Sequence, residues 1–270
     1  SIDLFRDLET FGITTKYVET NNWEQIEAAI GEHTKLIFAE TIANPGLTVT
    51  NIEKMSEIAH NHGVPLIVDN TTATPYLIRV LKHGADIVVN SSSKYMNGSS
   101  NAISGILTDG GKFKWDKNKY PGMSDYVKYG PMAFVAKLRN GIFRNTGACL
   151  SPVNAYLNLI GIETLGLRME RECQNALELA HWIAENYSDI IVNYPGLESS
   201  SWHHVAKEQF EHGYGAILTL RVGSKEKAFK FIDSLTIPYI ISNIGDTKTL
   251  KNQRLIRNKV QEENENGRKG

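Results

Sequence analysis

The sequence predicts an α/β fold in which a mostly parallel sheet is flanked by helices and followed by a smaller α+β region. Three observations predict it. In the first half, short apolar runs of strand length alternate with amphipathic helical stretches, the signature of strand–helix–strand units. The apolar runs are continuous rather than alternating, as strands covered on both faces require. Beyond about residue 148 the pattern turns helical, with isolated strand signals late in the chain.

Leu36–Ala39 is the first strand-length apolar run. Thr50-Asn51 then stands where a helix N-cap belongs, ahead of Ile52, Met55, Ile58 and Ala59 on one face, and Gly63 stands where the helix should stop. Pro65–Asp69 reads as the second strand, and Pro75–His83 as a short helix closed by Gly84. Asp86–Asn90 is the third strand and Ile103–Thr108 the fourth, ended by the turn residues Asp109-Gly110-Gly111. A glycine- and aromatic-rich stretch runs from Phe113 to Gly130. From Glu163 onward, Leu165, Met169, Cys173, Ala176, Leu177 and Ala180 recur at helical spacing. A strand at Ala216–Val222, a helix at Glu226–Leu235 and a strand at Ile237–Ile241 complete the series. The expected organisation is therefore a part of a large domain over 1–148, a small domain over 149–250, and a polar tail over 251–270 that is expected to be disordered.

Composition excludes several classes of function. The chain has 270 residues, 41% hydrophobic and 22% charged, which is ordinary for a protein with a core. Its net charge of −1 gives no bulk attraction to nucleic acid or to an anionic membrane. No apolar run reaches membrane-span length. The 2 cysteines, Cys149 and Cys173, show no metal or redox spacing, so no metal site is expected and a reduced, cytoplasmic protein is. None of the histidines has metal-ligand spacing. No glycine-rich dinucleotide or Walker fingerprint occurs. Ser91-Ser92-Ser93-Lys94 matches a serine-acylase Ser-x-x-Lys, but the companion motifs are missing and the segment follows a strand.

Three features fall at successive strand ends: Asn44 after the first, Asp69 at the end of the second, and Ser91 to Lys94 after the third. In parallel α/β sheets those ends are where ligands bind. Read singly, Asp69 is a turn residue and Lys94 a solvated surface lysine. Together they fit pyridoxal 5′-phosphate (PLP), which needs an amine for its aldehyde, an anion beside its pyridine nitrogen and donors for its phosphate. Lys94 supplies the amine and Asp69 the anion. Ser91 and Ser93, two residues apart on an extended segment, would turn their hydroxyls to one side and reach the phosphate.

The motifs also carry a family resemblance. Glu40-Thr41-Ile42-Ala43-Asn44-Pro45, Val68-Asp69-Asn70-Thr71-Thr72-Ala73-Thr74-Pro75, Gly84-Ala85-Asp86-Ile87-Val88, Ser91-Ser92-Ser93-Lys94-Tyr95 and Gly161-Ile162-Glu163-Thr164-Leu165 follow one another in family order. The chain thereby resembles the Cys/Met-metabolism PLP enzymes, which include cystathionine γ-synthase, the cystathionine lyases, methionine γ-lyase and O-acetylhomoserine sulfhydrylase. The resemblance runs from about Leu4 to about Leu250. It implies an aspartate-aminotransferase-like (fold type I) architecture, with Lys94 as the Schiff-base lysine, Asp69 as partner of the pyridine nitrogen, and Ser91 and Ser93 as phosphate ligands. Asn44 would face the cofactor's phenolic oxygen, and Asn243 is a candidate for touching the substrate.

Gly111-Lys112-Phe113-Lys114-Trp115, Tyr120-Pro121, Tyr194-Pro195-Gly196-Leu197 and Asn243-Ile244-Gly245-Asp246 look most like the O-acetylhomoserine sulfhydrylase branch. That implies γ-replacement: O-acetylhomoserine and sulfide or a thiol give homocysteine, or a homologue, and acetate. The alternatives are a γ-lyase or a cystathionine γ-synthase of the same family. The resemblance further implies an amino-acid substrate and a homotetramer built as a dimer of dimers. The chain departs from the family at Asn90 and at Asn97-Gly98-Ser99-Ser100, where histidines are usual. The family's phosphate cup and stacking ring belong upstream of Ser1, and its carboxylate-binding arginine belongs to a motif that Arg257 matches poorly. The expectation is a chain truncated at both ends, with a catalytically incompetent fragment as the third alternative.

Overall fold

Three short strands rich in valine and isoleucine form the centre of the structure. The computed structural model describes residues 2–251; the expected tail beyond Lys251, and Arg257 within it, lie outside the described residues. Two units are distinguished, and residues 35–251 and residues 2–34 belong to different ones. In the shorter, α1 (Ile2–Leu8) precedes α2 (Trp23–Ala29), whose first turn is capped by Asn22 Oδ1 accepting from Gln25 N at 3.1 Å.

In the larger unit, β1 (Ile37–Glu40), β2 (Leu66–Asp69) and β3 (Ile87–Asn90) are parallel, and β4 (Ile106–Asp109) joins β3 antiparallel. The register pairs Glu40 with Asp69 and Val68 with Val88, so the strand ends are level. Leu66, Val68 and Ile87 are buried, each contributing roughly 1.5–3 kcal/mol. α3 (Ile52–Asn61) joins β1 to β2, buries Ile52, Met55, Ile58 and Ala59, and is capped by Asn51 Oδ1 on Lys54 N at 3.0 Å.

Two expected elements come out differently. The helix expected over Pro75–His83 is divided into α4 (Thr74–Leu77) and a 3-10 turn over Val80–His83, with Ile78 extended between them. The cause lies outside the segment: Asn70 Nδ2 donates to Ile78 O at 3.0 Å and Glu211 N to Leu77 O at 2.8 Å, drawing those carbonyls out of helical pairing. β4 begins at Ile106 rather than Ile103 because Ser104 is held by Ser93, leaving Ile103 86% exposed.

The stretch after β4 is pinned by its own rings. Trp115 stacks on Phe134 at 5.6 Å, and Tyr120, edge-on to Trp115, reaches Lys35 O and Gly63 O with its hydroxyl at 3.1 Å each. α5 (Ala133–Leu138), α6 (Arg144–Thr146) and α7 (Pro152–Glu163) lead to α8 (Leu165–Asn186). α7 is apolar nearly all round, which hid its face from a periodicity reading. β5 (Ile191–Asn193) was missed; it pairs antiparallel with β6 (Thr219–Arg221), inside the expected Ala216–Val222. Beside them Ala176, Ala180, Tyr194 and Leu197 form a second core, with the Tyr194 hydroxyl donating to Gly215 O at 2.8 Å. α9 (His203–Gln209), α10 (Lys225–Ser234) and the parallel pair β7 (Tyr239–Ile240) and β8 (Leu250–Lys251) follow. Among the described residues no helix is long and apolar enough to cross a membrane.

Candidate active site

A cleft of about 180 Å³ opens at the carboxyl ends of β1, β2 and β3, lined by Glu40, Asn44, Asp69, Thr71, Thr72, Ser91 and Ile244. Three of the expected site residues thus meet on one wall-to-wall space: Asn44 from the loop after β1, Asp69 from the last position of β2, and Ser91 just past β3. Parallel strands in level register bring such chain-distant groups together. Asp69 is oriented by its own turn, Oδ1 accepting from Thr71 N at 2.9 Å. Thr71 Oγ1 in turn accepts from Ser91 N at 2.7 Å, locking the β2 and β3 loops together. Sequence reasoning passed over Thr71, although it lies in a quoted motif, because its role is a contact between two loops.

Lys94 stands one turn beyond Ser91. Its backbone N donates to Ser91 O at 3.1 Å, and its carbonyl accepts from Gly98 N at 2.8 Å. Lys94 Nζ donates to Asn243 Oδ1, and Asn243 is adjacent in the chain to Ile244 on the cleft wall. The structure therefore brings Asn243 to the lysine itself. Asn243 Nδ2 donates to Ser100 Oγ at 2.8 Å, Ser100 donates to Asp246 Oδ2 at 2.7 Å, and Thr247 N donates to Gly98 O at 3.0 Å, so the late loop is tied to the lysine loop at Lys94, Gly98 and Ser100.

The pairing of Ser91 with Ser93 needs correction. The chain turns at once after Ser91, so the two do not share an extended segment. Ser93 Oγ donates to Ser104 O at 3.0 Å and accepts from Ser104 N at 2.8 Å, and neither Ser93 nor Lys94 is among the residues lining the cleft.

Sequence reasoning also missed Glu172 and Arg168, one turn apart on α8. Burial pushes the Glu172 carboxyl up to about 7; Arg168 opposes that rise and Asp246 adds to it. Below pH 4.5 the carboxyl is protonated in folded and unfolded chains alike. As pH rises from 4.5 to about 7 the unfolded chain releases the proton first, so stability falls, and it levels off above that. Glu172→Gln abolishes this fall. The variant is expected to match the wild type at pH 4 and to exceed it at pH 8 by on the order of 1–2 kcal/mol, allowing for solvent screening. Urea unfolding at the two pH values measures the difference; equal gaps at both would contradict it.

The groups present suit PLP on chemical grounds: a fixed carboxylate at a strand end, hydroxyls on the adjoining loops, and a half-buried lysine bonded to Asn243, next in the chain to the cleft-lining Ile244. Comparison with known proteins agrees. The pattern of the Cys/Met metabolism PLP-dependent enzymes matches residues 3–269. Sulfhydrylase FUB7 of Fusarium oxysporum f. sp. lycopersici is 39% identical over 257 residues, covering 90% of this chain and 59% of the Fusarium protein. The solved O-acetylhomoserine sulfhydrylase of Wolinella succinogenes superposes with a TM-score of 0.82 at 43% identity, covering 92% of this chain and 71% of that one. A putative O-acetylhomoserine (thiol)-lyase of Campylobacter jejuni, solved with an N′-pyridoxyl-lysine-5′-monophosphate, gives a TM-score of 0.84 at 32% identity, covering 90% of this chain and 64% of that one. The chain spans 59% of the Fusarium relative's length. The strand-end cleft and a sequence match running almost the whole length of the chain lead to one conclusion: the chain belongs to the Cys/Met-metabolism PLP-dependent enzyme family.

Proposed function

We propose that this chain is the PLP-binding part of an enzyme of γ-replacement, which converts O-acetylhomoserine and sulfide or a thiol to homocysteine, or a homologue, and acetate. The observation that carries the reading is the cleft that joins Asp69, Ser91 and Asn44, with Lys94 bonded to Asn243, the residue before the cleft-lining Ile244. The Wolinella sulfhydrylase and the Fusarium relative favour this chemistry over a γ-lyase. In this proposal residues 1–148 are part of the cofactor domain and 149–250 the small domain, with the four-stranded sheet in the first and the two-stranded pairs in the second.

Bound PLP supplies an electron-withdrawing ring that stabilises a carbanion at the substrate α-carbon. Asp69, fixed by Thr71 N, keeps a proton on the ring nitrogen. Ser91 is the proposed phosphate donor on the cleft; Ser93, whose hydroxyl grips Ser104, holds the loop from behind. Asn44 faces the phenolic oxygen. Lys94 Nζ holds the cofactor covalently between turnovers. With the substrate in place, Lys94 Nζ would move the proton off the α-carbon and then take one from the β-carbon as acetate leaves the γ-carbon; after sulfide or the thiol has added at the γ-carbon, it would return a proton to the β-carbon and one to the α-carbon. Asn243 fixes Lys94 Nζ at rest and faces the substrate when the lysine is released. The same reading makes the protein a homo-oligomer, a dimer of dimers, with small-molecule amino-acid substrates. It also places the protein in a cytoplasmic, reducing setting, in keeping with the free thiols of Cys149 and Cys173.

The chain mixed with PLP should turn yellow, and borohydride should fix the cofactor's mass on the Lys94 peptide. A chain that stays colourless at high PLP would refute the cofactor reading. With PLP bound, homocysteine should form from O-acetylhomoserine and sulfide; ammonia from methionine with no homocysteine would instead make the enzyme a γ-lyase.

A further inference from the structure

The lysine loop is held by a residue far from it in sequence. Arg168 Nη1 donates to Tyr95 O at 2.6 Å, Nη2 to Gly161 O at 2.7 Å and to Met96 O at 3.4 Å, and Nε to Thr164 Oγ1 at 3.0 Å. Gly161 O and Thr164 belong to the end of α7, and an arginine there would suffice as a helix cap. The bonds to Tyr95 O and Met96 O exceed that role, because they fasten the two peptides that follow Lys94. Gly98 leaves the guanidinium its place: a Cβ there would overlap Arg168 Nη1 and come within 2.9 Å of Nε. On the other side of Tyr95, Gly245, at φ 76°, comes so close that a Cβ would overlap Tyr95 N and lie 2.8 Å from Lys94 C. The Lys94–Tyr95 peptide is thus stopped by Gly245, and the next peptide, Tyr95–Met96, is tethered through Tyr95 O by Arg168.

We propose that Arg168 is a positioning residue for Lys94, its planar fork setting the backbone from which Nζ reaches the cleft. A guanidinium serves carbonyls of two segments and a hydroxyl from one fixed planar fork; an ammonium, with three donors on a single nitrogen, lacks that geometry. Burial lowers the guanidinium's hold on its proton, and Glu172 restores part of it, so the fork keeps its charge in a half-buried place. The inference rests on Lys94 being the cofactor lysine, and its consequence is kinetic: a loosened loop should present Nζ to the PLP aldehyde less often.

Arg168→Met and Arg168→Lys test it in the full chain by hydrogen exchange of the Tyr95–Gly98 amides and by the rate of borohydride-trapped PLP attachment to Lys94. Loss of charged hydrogen bonds to two carbonyls should speed exchange about tenfold in Arg168→Met and slow attachment by about the same factor. Arg168→Lys should fall between Met and wild type, and β1 to β3 amides should not change. Unchanged exchange and attachment in both variants overturn the proposal. If Arg168→Met unfolds the strands as well, Arg168→Lys decides alone, since it keeps charge and stem. If wild type attaches no PLP, the functional reading fails; the inference is then judged by loop exchange and by acetic-anhydride labelling of Lys94, and equal rates in wild type and variants would sink it.

Discussion

Lys94→Ala is expected to abolish covalent PLP attachment and all turnover while leaving the fold intact. The borohydride-fixed mass should vanish from the Ser91–Gly98 peptide, and the yellow band should be replaced by that of the free aldehyde. The expectation of an intact fold comes from geometry. The loop's shape is set by backbone bonds, Lys94 N to Ser91 O at 3.1 Å and Gly98 N to Lys94 O at 2.8 Å, which alanine retains. The side chain contributes its bond to Asn243 and little of the core, since its neighbours Tyr95, Met96 and Asn97 carry the burial. Removing it leaves Asn243 tied to Ser100. Melting temperature within about 3 °C of wild type, corresponding to less than ~1 kcal/mol, would agree. Retained PLP mass on the same peptide would show that another amine carries the cofactor, and a large loss of stability would show that Lys94 is structural.

How far the sequence reveals the site follows from the distances along the chain over which its parts cooperate. The meeting of Asn44, Asp69 and Ser91 was legible because each stands at or beyond the end of a strand of one parallel sheet, and strand ends can be counted from apolar runs. The level register then supplies their meeting without any further information. The extended run through Ser91 and Ser93 was misread because alternation along a strand was carried into a segment that turns, where the two-residue period no longer applies. Arg168, Glu172 and Gly245 carried no local signal. Arg168 interrupts an apolar helix face in the manner of many surface arginines, and its partners Tyr95 and Met96 are placed by tertiary packing alone. α7 was illegible for a different reason: a helix apolar on most of its faces has no periodic contrast to read. The division of Pro75–His83 depends on Asn70 and Glu211, one of them distant in sequence.

Gly161→Val should disrupt the site from behind, without touching any group that meets the cofactor. A glycine inside a helix is ordinarily a weakness, and adding a side chain there stabilises by up to about 1 kcal/mol. Gly141, whose Cβ would meet nothing, should behave that way as Gly141→Ala. Gly161 should behave in the opposite sense. A Cβ there would overlap Asn97 O and lie 2.6 Å from Met96 O, and both are backbone atoms that cannot rotate aside. Asn97 N is bonded to Ser92 O at 3.0 Å, so the loop cannot retreat without opening its own turn. The alternative is for α7 to move away, which would pull Gly161 O from Arg168 and break the tether on Tyr95 at the same time. Either route adds lost hydrogen bonds to overpacking, and the expected destabilisation is roughly 2–4 kcal/mol. Urea midpoints of Gly161→Val and Gly141→Ala should therefore move in opposite directions. The folded fraction of Gly161→Val should also attach PLP to Lys94 more slowly than wild type, since the loop that carries the lysine has lost its backing. A Gly161→Val chain as stable as wild type, with unchanged attachment, would mean that the close approach of α7 to the lysine loop does not constrain Lys94.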